Sequence, residues 1–438
     1  MSEFRPPRGT RDVLYEDAYV RRRAIERLRE HFLRFGFSDF DTPAIEHLET
    51  LEAKSGPEVA EQIYCFDDKG GRRLGLIFEF TASLGRVAAT NSEIQLPFKR
   101  YQIGKVWRYE APQSNRYREF YQADIDIIGP TTMDCEVEIL TVIASVLRDF
   151  GVPDFRFVLN NRKILQSQLR LAGLVEEQAQ ATVMRGLDKL DKIGPDAVRE
   201  YVLAGGVDAE AYERLMALVP EEGSNDETLD RLQASLAADE GGLEGVRELR
   251  DILDLSAQAE LGASIRVAPL LVRGLDYYTG PIFEVRSPAL GDVSFGGGGR
   301  YDTLVEAFGG RPVGAAGFAF GVDRLVTILS QQGLVAPAKC EARVMVAVRT
   351  QELAPHAFRL ANHLRAAGIP VFQYVGNAKL GKQLSFAERM EFPLVVIIAE
   401  DEVAAGVARV KAMAEREEVE VPLDQLAGYV RAKLGAEA

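Results

Sequence analysis

The chain opens with a helical period. Ile25, Leu28, Phe32 and Phe35 recur at the spacing of one helix face, and Gly36 stands where such a helix would stop. Over residues 37–45 apolar and polar positions alternate until Pro43, which has no N–H to give a ladder and so marks a strand end or a sheet edge. Residues 101–110 and 117–128 are rich in aromatic and β-branched side chains. The turn-forming stretch 111–115 between them predicts an antiparallel hairpin. Helical spacing returns over 136–150. From about 162 to 261 the pattern is helical, polar and rich in Glu and Asp, with breaks at Gly205, Gly206 and 220–225, and it reads as an inserted helical subdomain.

Strand character resumes over 270–285, broken at Thr279, Gly280 and Pro281. A glycine-rich turn is expected next, leading into a helix with Leu304, Val305 and Phe308 on its core face. A small-residue strand at 314–321 precedes a helix at 322–329. Beyond a loop around 336–342 the pattern changes to strand (344–348), helix (Leu353, Ala357, Leu360, Ala361 and Leu364, closed by Gly368), strand (371–374), helix (379–390) and strand (394–399). That alternation predicts a largely parallel α/β layer.

Composition adds limits. With 438 residues, 47% of them apolar, the chain has material for two or three domains. No run approaches the roughly 20 apolar residues that span a bilayer, and no apolar segment follows the charged start, so neither membrane insertion nor export is expected. Cys65, Cys135 and Cys340 are isolated, which predicts neither a disulfide framework nor a zinc site and fits a reducing, cytoplasmic setting.

The net charge of −14 argues against a chain devoted to wrapping nucleic acid. Locally the balance reverses. Lys99, Arg100, Lys105, Arg108, Arg116 and Arg118 surround Glu110, an arrangement open to a polyphosphate ligand or to an ordinary solvated surface. Three arginines stand out by context: Arg108 in VWRYE, expected on the first hairpin strand, Arg273 in LVRGLDYY, and Arg324 in FGVDRL at a helix start. A guanidinium stays ionised and pairs with phosphate at two points.

Taken together, VWRYEAPQSNRYREFYQADIDIIG, RGLDYYTGPIFEV and GGGGRYDTLVEAFGG followed by GFAFGVDRL resemble motif 2, the two histidine-specific signatures and motif 3 of class II histidyl-tRNA synthetases. PRGTRD and GFSDFDTPAIE are similar to that family's N-terminal segment and motif 1. KLGKQLSFAERMEFPLVVIIAEDE resembles its anticodon-binding domain. The resemblance implies an α+β fold: a class II antiparallel sheet with flanking helices over 1–330, a helical insertion at about 162–261, a linker at 331–342 and a C-terminal α/β anticodon-binding domain at 343–438. It implies activation of L-histidine with ATP and Mg2+, the metal arriving with ATP rather than in a protein cluster, followed by transfer to tRNA(His). A homodimer built through motif 1 is also implied.

Residue by residue, the resemblance assigns Arg108 and Arg273 to the α-phosphate as catalytic cations, Arg324 to the polyphosphate tail and a face of adenine, Glu110 to the adenine edge and Phe120 to stacking on the base. Glu79, Thr81 and Gln122 are assigned to the substrate ammonium, Asp126 and Tyr278 to the imidazole, and Tyr301 to closing the pocket. Tyr277 is expected to be structural. Gln113, Arg116 and Arg118 would reach the tRNA acceptor end, and Lys379 and Lys382 are phosphate candidates in the second domain. Two rivals are a synthetase-like regulator of histidine biosynthesis, which commonly lacks the C-terminal domain and has eroded signatures, and a non-catalytic tRNA-binding module.

Overall fold

The computed structural model describes residues 4–53, 57–110, 117–221, 223–273 and 277–435. Its contacts divide the chain into two units, residues 1–12 with 23–334 and residues 13–22 with 335–438. The strands in chain order are β1 Ser38–Asp39, β2 Ile45–His47, β3 Cys65–Asp67, β4 Arg73–Leu76, β5 Phe98–Trp107, β6 Glu119–Gly129, β7 Arg156–Asn161, β8 Ile265–Val267, β9 Pro281–Ser287, β10 Val293–Arg300, β11 Gly314–Gly321, β12 Val344–Val348, β13 Val371–Gln373, β14 Leu394–Ile398, β15 Val407–Ala412 and β16 Glu417–Pro422.

In the first unit an eight-stranded sheet has the order β1-β5-β6-β11-β10-β9-β7-β8. The neighbours from β5 through to β7 are antiparallel, while β1 and β8 lie parallel to their partners at the two edges. A strand turns alternate side chains to opposite faces, and here the two faces differ in kind. One carries Tyr101, Ile125, Phe318 and Phe283, all buried. The Phe283 and Phe318 rings lie parallel at 6.1 Å, and Tyr101 meets Phe32 of the first helix at 5.6 Å. Helix Asp134–Asp149 packs against β6 and β11 with a face of Ile139, Leu140, Val142, Ile143 and Val146. The other face carries the polar and glycine positions taken up below.

The opening helix spans Tyr15–Arg34, buries Leu28 and Phe32, and is followed by Gly36 at φ +76°. Pro43 stands between β1 and β2, and β1 is a sheet edge. The predicted hairpin is β5 and β6, whose connecting residues 111–116 lie outside those described. Two expectations need correction. The glycine run is not a turn: Gly296–Gly299 sit inside β10, hydrogen-bonded on both sides. Residues 270–273 and 277–280 are not strand. Their apolar character reflects burial, and the Asn160 side-chain amide holds the segment by donating to the Pro269 and Leu271 carbonyls at 2.9 and 3.0 Å.

Between β7 and β8 run helices Arg162–Leu171, Glu177–Leu187, Leu190–Ala204, Ala209–Ala217, Asn225–Ser235 and Glu240–Gln258. Leu165, Leu169, Val183, Val198, Val202, Tyr212 and Leu215 give this segment a core of its own. Its helix starts are well capped: Asn161, Asp208, Ser224 and Asp239 each accept from a backbone amide in the first turn.

The second unit holds a sheet ordered β13-β12-β14-β15-β16. Its first three strands are parallel, as the alternation predicts. The last two are antiparallel additions that the sequence reading did not separate. Val344, Val346 and Val348 pack with Leu360, Leu364 and Val430 on one side, Met345 and Ala347 with Phe392 on the other. The buried Gln383 amide accepts from and donates to Val348's backbone, extending the sheet's bonding beyond its strands. Among the described residues no helix is long and apolar enough to cross a membrane.

Candidate active site

The polar face of the large sheet can be followed row by row. One row, read across the strands, is Glu284, Gly297, Ala319, Asp124 and Gln102; the next is Ile282, Gly299, Gly317, Asp126 and Arg100. Gln122 lies one step further along β6, between Gly104 and Gly321. The centre of the floor therefore carries hydrogen atoms and one methyl group where its flanks carry charges.

Glycine is required there by space. A β-carbon on Gly297 would lie 2.3 Å from the Arg273 guanidinium carbon, and one on Gly317 would lie 2.1 Å from an Asp126 carboxylate oxygen and 2.4 Å from the Tyr301 hydroxyl. The glycine run thus makes the bed on which Arg273 rests. Asp276, a residue that could pair with Arg273, lies outside those described. The described partner is Glu284, at 3.1 Å, itself shared with Arg286 at 3.0 Å. Burial works to lower the pKa of Arg273, but Tyr278 and Glu284 outweigh it and raise the value. The cation is thus fixed in place while 27% of its side chain stays accessible.

Arg108 sits just beyond the end of β5 rather than on it, with its amide bonded to the Arg118 carbonyl. Its guanidinium lies between the rings of Phe78 (4.4 Å to the centroid) and Phe120 (5.1 Å) and donates to the Gln122 side-chain oxygen at 3.1 Å. Burial lowers its pKa, opposed by Glu110, Glu79 and Asp124. Arg324 is exposed near the start of helix Val322–Gln331 and reaches the Ser294 carbonyl on β10 at 3.3 Å, while the Ser294 side chain bonds Glu284. A chain of contacts thus ties Arg324 to Arg273 through Ser294 and Glu284.

The local basic excess resolves differently from a free polyphosphate cradle. Arg100 is fully buried against Asp126 at 2.6 Å, Lys99 pairs with Glu138 and Lys105 with Glu119. Arg118 lies over the Tyr109 ring and donates to the Glu110 carbonyl at 2.9 Å. Gln113 and Arg116 fall outside the described residues.

Beside this floor lies a pocket of acids and phenols. Asp126 is gripped by Arg100 and by the Tyr301 hydroxyl. The Glu79 carboxylate accepts the amides of Thr81 (2.5 Å) and Ala82 (2.8 Å) at the start of helix Thr81–Thr90, which locks its orientation. The rings of Tyr277, Tyr278 and Tyr301 cluster with centroids 4.9 to 6.4 Å apart. Tyr277, expected to be structural, is bonded through its hydroxyl to Thr81, and burial, Tyr278 and Glu79 push its pKa well up.

One residue was missed. Asp124 shares a face with Gln122 and Asp126, is 3% exposed, and takes the Gln122 amide nitrogen at 3.0 and 3.2 Å on its two oxygens. Burial pushes its carboxyl up to about 8; Asp126 and Glu79 add to that rise while Arg100 and Gln122 oppose it. The signal was in the sequence, since the alternation in QADID puts all three side chains on one face.

Such a floor offers a reactant fixed positive charge next to a small pocket built to bond a polar side chain. Fold and site together place the chain among the class II aminoacyl-tRNA synthetases. The family model described as histidyl-tRNA synthetase matches residues 9–325, and one described as anticodon binding domain matches 341–433. The chain is 36% identical over 443 residues to the histidine–tRNA ligase of Porphyromonas gingivalis, spanning 95% of this chain and 97% of that one. It is 33% identical over 426 residues to that of Pyrococcus furiosus, spanning 97% and 98%. Among solved structures, the histidyl-tRNA synthetase of Nostoc sp. PCC 7120 aligns with a TM-score of 0.83 at 28% identity, covering 99% of this chain and all of that one. The chain belongs to the histidyl-tRNA synthetase family.

Proposed function

We propose that this chain is a histidine–tRNA ligase that forms histidyl-adenylate from L-histidine and ATP and passes the histidyl group to the 3′ end of tRNA(His). The observation that carries the reading is the run of contacts from Arg108 through Gln122 and Asp124, on the same sheet face as Arg273 over Gly297, with the pocket of Asp126, Tyr278 and Tyr301 alongside.

The attacking carboxylate is already ionised at neutral pH, so the obstacle to adenylation is repulsion between anions rather than a missing base. Arg273 and Arg108 meet it by stabilising charge that gathers on the α-phosphoryl oxygens. Arg324 takes the polyphosphate tail and one face of adenine, Glu110 the adenine edge, and Phe120 stacks near the base. Glu79, Thr81 and Gln122 hold the substrate ammonium; Asp126 and Tyr278 bond the imidazole, and Tyr301 both closes the pocket and fixes Asp126. A pocket of this kind rejects amino acids without a ring N–H by about 10⁴ or more, because its buried polar groups are then left unpaired.

Among the described residues no three His, Cys, Asp or Glu side chains gather as a metal cage, and Glu284 is engaged by two arginines. Mg2+ in this reading travels with ATP, held by phosphates and water and lowering the charge of the triphosphate. Residues 1–330 form the catalytic part, including the insertion at about 162–261, and 343–438 the anticodon-binding part. There Lys379 and Lys382 are exposed at the start of helix Leu380–Arg389. Gln113, Arg116 and Arg118 meet the acceptor end. Exposed Leu33 just before the motif 1 segment and exposed Ile45 within it support a two-fold homodimer. Work on tRNA belongs in the cytoplasm, where the cysteines stay reduced.

Histidine-dependent ATP–pyrophosphate exchange by the purified chain, then charging of tRNA(His), tests the reading. Exchange without charging would remove the ligase and leave the adenylation site, and no exchange at all would remove both.

A further inference from the structure

The roles assigned so far leave one buried floor carboxylate unused. Asp126 has one oxygen on Arg100 and the other on Tyr301, and Glu79 has both on backbone amides. Asp124 lies between Gln122 and Asp126 on one face of β6, close enough to feel the charges of Asp126 and Glu79, and the donor that meets it among the described residues is the Gln122 amide nitrogen. An ionised carboxylate can accept at about four sites, so most of its capacity is open. The next floor position in its row, Ala319, carries only a methyl group, and beyond it the Arg273 guanidinium lies over Gly297.

We infer that Asp124 receives the α-ammonium group of the amino-acid substrate, completing with Gln122, Glu79 and Thr81 a receptor for one primary ammonium. The inference rests on the reading of this pocket as the histidine site. It follows from position: the oxygens of Asp124 accept from the amide nitrogen of Gln122, whose own oxygen accepts from Arg108, and Asp124 acts electrostatically on Tyr277, whose hydroxyl is on Thr81.

The groups facing Asp124 are Arg100 and Gln102 from β5, Gln122 and Asp126 from β6, Glu79 from the start of helix Thr81–Thr90, and Arg108 and Tyr277 from the flanks. In the ligand-free pocket their balance with burial leaves the carboxyl protonated at neutral pH. An arriving ammonium reverses that preference. The carboxyl O–H bond breaks, its proton leaves to solvent, and the carboxylate pairs with the ammonium, so that the pocket buries a neutral pair rather than a lone cation.

Asp124→Asn keeps size and hydrogen bonding but removes the charge. Histidine should bind it about 10- to 100-fold more weakly, as expected for loss of one charge-assisted contact, with KM rising and kcat far less affected. Calorimetric titration of histidine at pH 7 in two buffers of different ionisation enthalpy counts protons. The native chain should release about 0.9 proton per site more than the variant. A merely structural aspartate would leave both proton count and KM alike, and that result would overturn the inference while normal exchange activity kept the histidine site intact. A native chain with no histidine-dependent exchange would instead remove the underlying reading. Should the variant not fold, the native chain titrated with imidazole-4-propionate, which lacks the ammonium, serves in its place: histidine should release about 0.9 proton more than this probe, and equal counts reject the proposal.

Discussion

The sheet floor and the helical segment between β7 and β8 treat the same residue type in opposite ways. On the floor, Asp124 is buried among other acids and its carboxyl is pushed up to about 8. In the helical segment, Asp239 caps helix Glu240–Gln258, accepts from Gly242 and takes both arms of Arg170, which with the cap amide hold it down at about 2. The second arrangement stabilises the fold. The first destabilises it, since a proton must stay on a group that water would ionise. On the reading proposed above a bound ligand would supply the missing charge, and clusters of charges poorly matched in the free protein are candidates for binding sites.

The contrast can be broken or sharpened by substitution. The largest effect belongs to a fully matched pair on the opposite, helix-covered face of the sheet: Arg300, buried, meets both oxygens of Glu136 at 2.8 Å and also the Thr132 carbonyl at 2.9 Å. Arg300→Ala strands a buried carboxylate and should lower stability by about 3–5 kcal/mol, read by urea denaturation. Unchanged unfolding would mean that matched pairs add nothing here. Arg273→Ala should act on the other axis, cutting turnover about 10²–10³-fold while histidine affinity moves only a few-fold, because its charge meets one that develops in the transition state. An equal rate in pyrophosphate exchange would dismiss its role.

Next comes the pH dependence of folding. Between about pH 4 and 8 the folded chain keeps a proton on Asp124 that the unfolded chain has lost, so this group's contribution falls as pH rises through that window. From pH 5 to 7 the native chain should lose about 2–3 kcal/mol relative to Asp124→Asn. Chemical denaturation of both at the two pH values checks the slope; parallel curves would place the carboxylate in a more solvated setting. Smallest is Asp239→Asn, where Arg170 is 44% exposed and solvent screens the pair, so a loss of about 1 kcal/mol or less is expected. Here the sign is opposite. The folded value is depressed, so the stabilisation is complete above about pH 4 and disappears as pH falls toward 2.

How far the sequence could be read follows the same division. Strands rich in aromatic and β-branched side chains announced themselves, as β5 and β6 did, and so did the short apolar run of β12 and helices with a continuous apolar stripe. β10 failed as a prediction because four consecutive glycines carry no pattern; its strand character comes from neighbours on both sides and from the guanidinium lying on it. The direction of the Tyr277 hydroxyl was not legible because a phenol's burial can be foreseen while its partner Thr81 lies almost two hundred residues earlier in the chain. The charges at 99–105 were legible as a cluster, but their partners Glu138, Asp126 and Glu119 are set by register and packing, which local composition does not encode. Asp124 needed only the period of two, applied without deference to the neighbours that already had roles.

The pairing of β7 with β8 carries a last implication. Phe157, Val158 and Leu159 lie beside Ile265, Arg266 and Val267 in a parallel register at the sheet edge, so the chain leaves from the far end of β7 and must cross back over about 13 Å, four residues of strand, to enter β8. The excursion is therefore a crossover tied to the sheet it leaves: helix Glu240–Gln258 packs against β7, β9 and helix Asp134–Asp149, and the Asn225 side chain bonds the backbone of Ile265 and Val267 in β8. An engineer who shortens or exchanges its helices must keep those contacts if β8 is to stay aligned on the sheet edge.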